Sequence, residues 1–233
     1  MTAILAFVKK SGVCFYTDGA AYGEDDGSLL FASQKTSILL HVPCIIACRG
    51  SSLLGGLFHA AIAHREPSAR TFDGLADSMP EILKQAASAA VKLGSRINLA
   101  TVYGGWSAQS KCWKLYRAFV AGESLENFDV EIVERGFHIE PTVPLELLAA
   151  RGLLQNGALD LREGDASAIR YMECQRETPF ELAPPVHSEV KYGCIVGCFI
   201  QKTVLTHDGA TTEIIHRWPD EVGKPLGTRK VSA

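Results

Sequence analysis

The sequence predicts an α+β chain folded as a four-layer αββα sandwich, two β-sheets face to face with two helices over each outer face. Two observations lead there. The order of segments is strands, two helices, strands, two helices, strands. Each sheet needs an apolar cover on its outer face, and two helices per sheet supply it. A third observation supplies the material: 47% of the 233 residues are apolar, enough for real cores and too many for wholesale disorder.

The elements follow from periodicity and punctuation. Thr2 to Val8 reads as a strand, Lys9-Lys10-Ser11-Gly12 as a turn, and Val13 to Thr17 as the returning strand. Gly23 to Gly27 is a polar loop. Leu29 to Ala32, Ser37 to Val42 and Cys44 to Cys48 are short apolar strands. An Ala/Leu-rich helix begins near Gly50 and runs to about His64, where Arg65-Glu66-Pro67 ends it. Phe72 to Leu93 is a second helix, with Leu75, Met79, Ile82, Leu83, Ala86, Ala90 and Leu93 at helical spacing and Gly94 as its stop. Pro80 inside it costs a hydrogen bond. Strands are expected at Ile97 to Gly104, Cys112 to Val120 and Val130 to Val133, and helices at Leu145 to Leu154 and Ala166 to Arg176. Tyr192 to Thr206 and Thr211 to Trp218 read as a long hairpin turned by His207-Asp208-Gly209. One domain is expected over residues 1–233, with a loose tail over 219–233.

Charge and composition exclude several classes. A net charge of −3 offers no footprint for nucleic acid. No apolar run approaches the ~20 residues of a membrane helix. Lys9 and Lys10 follow the first apolar segment instead of preceding it, unlike a signal peptide, so a cytoplasmic protein is expected. The seven cysteines show no disulfide-framework spacing. Cys44 and Cys48, like Cys194 and Cys198, are four apart, without the CxxC spacing of a zinc site; they read as buried free thiols.

Thr2 carries the first candidate chemistry. Removal of Met1 leaves its α-amine free beside its own hydroxyl. Such an amine has a pKa of about 7.7–8.0 and can take the hydroxyl proton, making Thr a nucleophile without a histidine. Asp18 ends the returning strand, beside the Thr2 end of the first. Lys35 stands before the strand Ile38-Leu39-Leu40, where its ammonium could hold the developing negative charge with Asp18 fixing it. Gly50 opens a helix, and its N–H is a natural oxyanion donor. Each also has a plain structural reading: turn former, solvated strand end, cap. Other features read as structural. His59 and His64 are five apart, not the i, i+4 of a zinc pair; Gly55-Gly56 and Gly104-Gly105 lack phosphate-loop context; Asp25-Asp26 is a solvated loop. Trp106, Trp113 and Tyr116 read as core or interface aromatics.

Taken together, Thr2-Ala3-Ile4-Leu5-Ala6-Phe7, Gly12-Val13, Asp18-Gly19-Ala20-Ala21, Ala32-Ser33-Gln34-Lys35 and Arg49-Gly50-Ser51 resemble proteasome β-subunits and their simpler bacterial relatives, N-terminal-nucleophile hydrolases. The resemblance is good over roughly the first 65 residues, and the element order fits beyond. It implies Thr2 as nucleophile, Lys35 and Asp18 as its support and the Gly50 N–H as oxyanion hole. The second half departs from the pattern. Glu134 to His138 stands nearest the family's serine-containing glycine motif and has no serine. The Asp and Ser expected to hold the threonine amine fall on Gly193 and Val196; Glu189, Ser188 or His138 are possible substitutes. Two functions therefore stand: a threonine-type amide hydrolase acting on peptides or small amides, and a non-catalytic proteasome-like assembly or binding subunit. No metal or organic cofactor is implied. Self-association, as a ring or stacked rings, is expected from the resemblance alone, and an unfoldase partner is not assigned.

Overall fold

Two apolar runs form the opening hairpin. β1 (Ile4–Lys9) and β2 (Gly12–Asp18) pair antiparallel from Lys9↔Gly12 to Ile4↔Thr17. Every residue of β2 is buried, because apolar cover lies on both faces of the strand. The computed structural model describes residues 2–23, 26–39, 41–50, 52–63, 70–94, 97–122, 128–161, 164–182 and 191–226. After the hairpin come β3 (Ala20–Tyr22), β4 (Leu29–Ala32), β5 (Thr36–Leu39), β6 (Cys44–Gly50), α1 (Ser52–Ala63), α2 (Phe72–Lys92), β7 (Ile97–Ser107), β8 (Cys112–Gly122), β9 (Phe128–Arg135) and β10 (Phe137–Glu140). The remainder is α3 (Leu145–Ala150), β11 (Leu154–Gln155), β12 (Ala158–Leu159), α4 (Asp165–Glu177), β13 (Phe180–Glu181), β14 (Tyr192–Gly193), β15 (Phe199–Thr206) and β16 (Gly209–Arg217).

Two five-stranded antiparallel sheets dominate, in the orders β10-β1-β2-β15-β16 and β5-β6-β7-β8-β9. Three main apolar cores lie against these sheets among the described residues, with a smaller cluster at Ala20, Leu29 and Leu226. Ile4, Ala6, Val13 and Phe15 of the first sheet meet Ile45, Ala47, Val102 and Leu115 of the second. The other face of the second sheet (Cys44, Ile46, Tyr103, Ala118) packs on Phe58 of α1 and Leu75, Met79, Ile82 and Leu83 of α2. The other face of the first sheet (Leu5, Cys14, Tyr16) packs on Leu148 of α3 and Ala168, Tyr171 and Met172 of α4. Each fully buried Leu, Ile, Phe or Met contributes about 1.5–3 kcal/mol, so α2 is held mainly by its buried stripe. Thr71 caps it, its side chain accepting from the Gly74 N–H at 3.1 Å. Pro80 lies inside the continuous helix.

Several expected boundaries move. α3 stops at Ala150, since Gly152 follows in a left-handed conformation (φ 65°) and turns the chain. Leu154, expected as helix, starts the small β11–β12 hairpin across Asn156-Gly157, both at positive φ. The expected long strand from Tyr192 splits: Tyr192–Gly193 pairs with Phe180–Glu181, and the strand of the main sheet starts only at Phe199. The tail from 219 is not loose over its described part. Leu29 N–H donates to Lys224, Gly223 N–H donates to Leu29, Ser28 bridges Pro225, and Leu226 is buried. Among the described residues no helix is long and apolar enough to cross a membrane.

Candidate active site

Thr2 lies just ahead of β1 and is 4% exposed. Alternation along the strand assigns it to the side of Ile4 and Ala6, facing the second sheet, while Ala3 and Leu5 face α3 and α4. Asp18, at the end of β2, is fully buried and holds this end of the chain. Its Oδ1 accepts from the Ala3 N–H at 2.9 Å, its Oδ2 from the Ala20 N–H at 3.0 Å and more weakly from the Gly197 N–H at 3.4 Å. One carboxylate thus ties three segments: the start of β1, the start of β3 and the approach to β15. Gly19 beside it permits this, since a Cβ there would meet the Phe199 ring at 2.5 Å.

Burial raises the Asp18 carboxyl above its ordinary value. The leading counterweight is the charge of Lys35, followed by the Ala3 and Ala20 N–H groups. Lys35 therefore lies within electrostatic range of Asp18. The direct contact expected from the sequence is absent: among the described residues Lys35 Nζ makes no hydrogen bond or ion pair within 4.0 Å with Asp18 or Thr2. Both Asp18 oxygens accept from backbone donors instead.

A polar group that sequence reasoning missed anchors the residue that follows Lys35. The next residue, Thr36 of β5, is bonded across to the first sheet. Its hydroxyl lies 3.0 Å from Thr203 Oγ1 and accepts from Gln201 Nε2. Gln201 Nε2 also reaches Thr203 Oγ1 at 3.2 Å, and Thr212 donates to Thr203 at 3.3 Å. The signal was present as two polar residues, Gln201 and Thr203, at inward-facing alternate positions of a strand otherwise apolar on that face. Thr17 lies directly opposite Gln201, and Thr17 Oγ1 and Gln201 Oε1 are buried without a partner among the described residues.

Gly50 is the last residue of β6, at φ 123°, and α1 begins two residues later. The neighbouring Arg49 donates to Glu140 Oε1, and Glu140 is register-paired with Ile4. That contact ties the Gly50 end of the second sheet to the Thr2 end of β1. Val196 and Gly193 stand at the two positions where amine supports were expected. Val196 is fully buried in the core beside α4, and a Cβ at Gly193 would touch Leu182. His138 sits opposite Ala6 and is engaged with Glu140 Oε2 at 3.3 Å, so it is not at Thr2. Ser188 and Glu189 lie outside the described residues, as do Met1, Asp25, Ser51 and His64. All seven cysteines are free thiols.

The fold has solved counterparts. The Gly-1 mutant of Anbu from Hyphomicrobium sp. strain MC1 is 15% identical, with a TM-score of 0.56 over 95% of this chain and 89% of that one. Anbu, described as an ancestral β-subunit, from Yersinia bercovieri is 12% identical, with a TM-score of 0.54 over 92% of this chain and 88% of that one. No family model matches the chain, and no curated protein matches it. At these identities the likeness establishes a proteasome-like fold and nothing finer.

Proposed function

We propose that this chain is a threonine-type N-terminal-nucleophile amide hydrolase on a four-layer αββα sandwich, with Thr2 as nucleophile. The single observation that carries the proposal is the Asp18 clamp: a fully buried carboxylate, counterbalanced by Lys35, fixes the Ala3 N–H next to Thr2. An ordinary turn former has no need of burial at that cost. In the reaction the Thr2 oxygen attacks the amide carbonyl and its proton passes to the free α-amine. The Lys35 charge favours the developing alkoxide, and the Gly50 N–H donates to the tetrahedral oxyanion. Collapse expels the amine with that proton and leaves an ester on Thr2. Water then attacks the ester, its proton returns through the same amine, and the acid is released.

A second reading is favoured by one specific feature. The positions where an amine support would stand are filled by Val196 and Gly193 in apolar packing, which suits a non-catalytic assembly or binding subunit. Homo-oligomerisation fits either reading and is supported by the exposed apolar residues Leu30 and Phe31 of β4 and Leu145 of α3. A cytoplasmic location is supported by seven free thiols. Turnover of a broad fluorogenic peptide panel separates the readings. Thr2→Ala and Lys35→Ala should each abolish or cripple hydrolysis while leaving the melting transition in place. A processed wild-type chain that is folded and hydrolyses nothing supports the assembly subunit instead.

A further inference from the structure

We propose that the groove around edge strand β10 is a carboxylate-recognition site, so that the amide acted on by Thr2 carries an acidic side chain or a free terminal carboxylate near the bond that is cut. The catalytic half of this statement rests on the Thr2 reading; the binding half stands on the groove's own charges.

The groove encloses about 1110 Å³. Its charged lining is Arg49, Arg117, Glu134, Arg135, His138 and Glu140. Two of these charges are already matched. Arg49 donates to Glu140, and Glu134 is held at 3.0 Å by Lys114, which does not line the groove. Arg117 and Arg135 have no carboxylate partner within ion-pair distance among the described residues. Two guanidiniums therefore face one groove with no directly contacting carboxylate among the described residues, the Arg117 charge acting on Glu140 only at longer range. Arg117 lies opposite Val102, a residue of the core between the sheets, so it points into the gap between them. It rests over the Phe119 ring at 5.3 Å. Arg135 lies opposite Leu115 of the same core. Glu140 is a groove anion and is shared: burial raises its carboxyl, but the His138 hydrogen bond and the charges of Arg49 and, more weakly, Arg117 leave it lowered, and its direct contacts go to Arg49 and His138.

Planar guanidiniums match carboxylates through paired N–H donors, and partly desolvated pairs of this kind are the strong ones. The placement relative to Thr2 is fixed by β1. Glu140 is opposite Ile4, and two strand residues span about 7 Å. A carboxylate held beside Glu140 by Arg117 thus falls within one or two residues of a carbonyl presented to Thr2.

The test is equilibrium binding by the full-length Thr2→Ala chain, so that turnover does not interfere. Three peptides are compared by competition: acetyl-Ala-Ala-Glu-Ala-Ala-amide, its Gln counterpart, and the Gln peptide with a free C-terminal carboxylate. At low salt at least one carboxylate peptide should bind about tenfold more tightly than the capped Gln peptide, and which of the two does so identifies the source of the carboxylate. Arg117→Gln should reduce that preference to within about twofold. Arg135→Gln, at an exposed position that does not threaten folding, should reduce it in the same direction. Glu140→Gln, which removes the groove's own negative charge, should not weaken carboxylate binding. Equal affinity for all three peptides, no binding of any at millimolar concentration, or a preference that survives both arginine variants overturns the proposal. Hydrolysis by the wild-type chain with no preference for either carboxylate peptide over the capped Gln peptide sinks the groove but not Thr2; a carboxylate preference in binding without hydrolysis sinks Thr2 but not the groove.

Discussion

Replacing Asp18 is the perturbation whose size the geometry determines best. Its two oxygens serve buried N–H groups on Ala3 and Ala20, each in a residue with no exposure, at 2.9 and 3.0 Å. Asn keeps one acceptor oxygen and turns a donor toward the other site, so one buried N–H loses its partner. Leaving such a group unpaired costs about 1–3 kcal/mol. Part of that loss is offset, because the neutral side chain is spared the desolvation that raises the carboxyl. Asp18→Asn should therefore lose about 1–2 kcal/mol, and Asp18→Ala, which strands both N–H groups, about 2–5 kcal/mol. For a chain of this size each kcal/mol moves Tm by roughly 2–4 °C. Urea titrations with an unchanged m-value should rank wild type above Asn and Asn above Ala. An Ala variant within about 0.5 kcal/mol of wild type, the range of an ordinary surface change, would refute the clamp and remove the main support for the site.

Two further outcomes follow from the same structure. Because the folded Asp18 carboxyl is raised above its ordinary 3.8, the folded state holds its proton more tightly than the unfolded state. That contribution is complete below the unfolded value and is lost as pH rises through the folded one. The stability gap between wild type and Asp18→Asn should thus narrow as pH is raised above about 4, and a gap that widens contradicts the burial argument. Burial also pushes the Cys48 thiol up to about 11, while Cys112 is exposed. Iodoacetamide near neutral pH should modify Cys112 first and leave the peptide bearing Cys44 and Cys48 unlabelled until unfolding, as peptide mapping would show; equal rates at Cys48 and Cys112 contradict that environment.

The legible parts of this fold are those with strong local patterns. The opening hairpin was fixed by a run that is buried throughout, and α2 by Leu75, Met79, Ile82, Leu83, Ala86 and Ala90, all now buried on one stripe. Asp18 could be singled out because it ends β2 beside the start of β1. The contact partners of that carboxylate could not, since Ala20 and Gly197 come from segments with no pattern of their own. β10 escaped because four residues, Phe137-His138-Ile139-Glu140, become a strand only by pairing with β1. Asn156-Gly157 is a two-residue hairpin signal standing just past the helix expected to end at Leu154, and it takes Leu154 into the hairpin. The Thr36–Gln201–Thr203 group joins residues up to 167 positions apart: Gln201 and Thr203 mark its half on β15, but nothing local ties them to Thr36.

The central claim is that Thr2 is a nucleophile, and covalent mapping tests it most directly. The chain is prepared with Met1 removed, verified by N-terminal mass, and treated with a peptide epoxyketone or a β-lactone. The account predicts one adduct per chain, located on the peptide beginning at Thr2 and abolished by Thr2→Ala or by a retained Met1. A processed and folded chain that gains no adduct at Thr2 contradicts it.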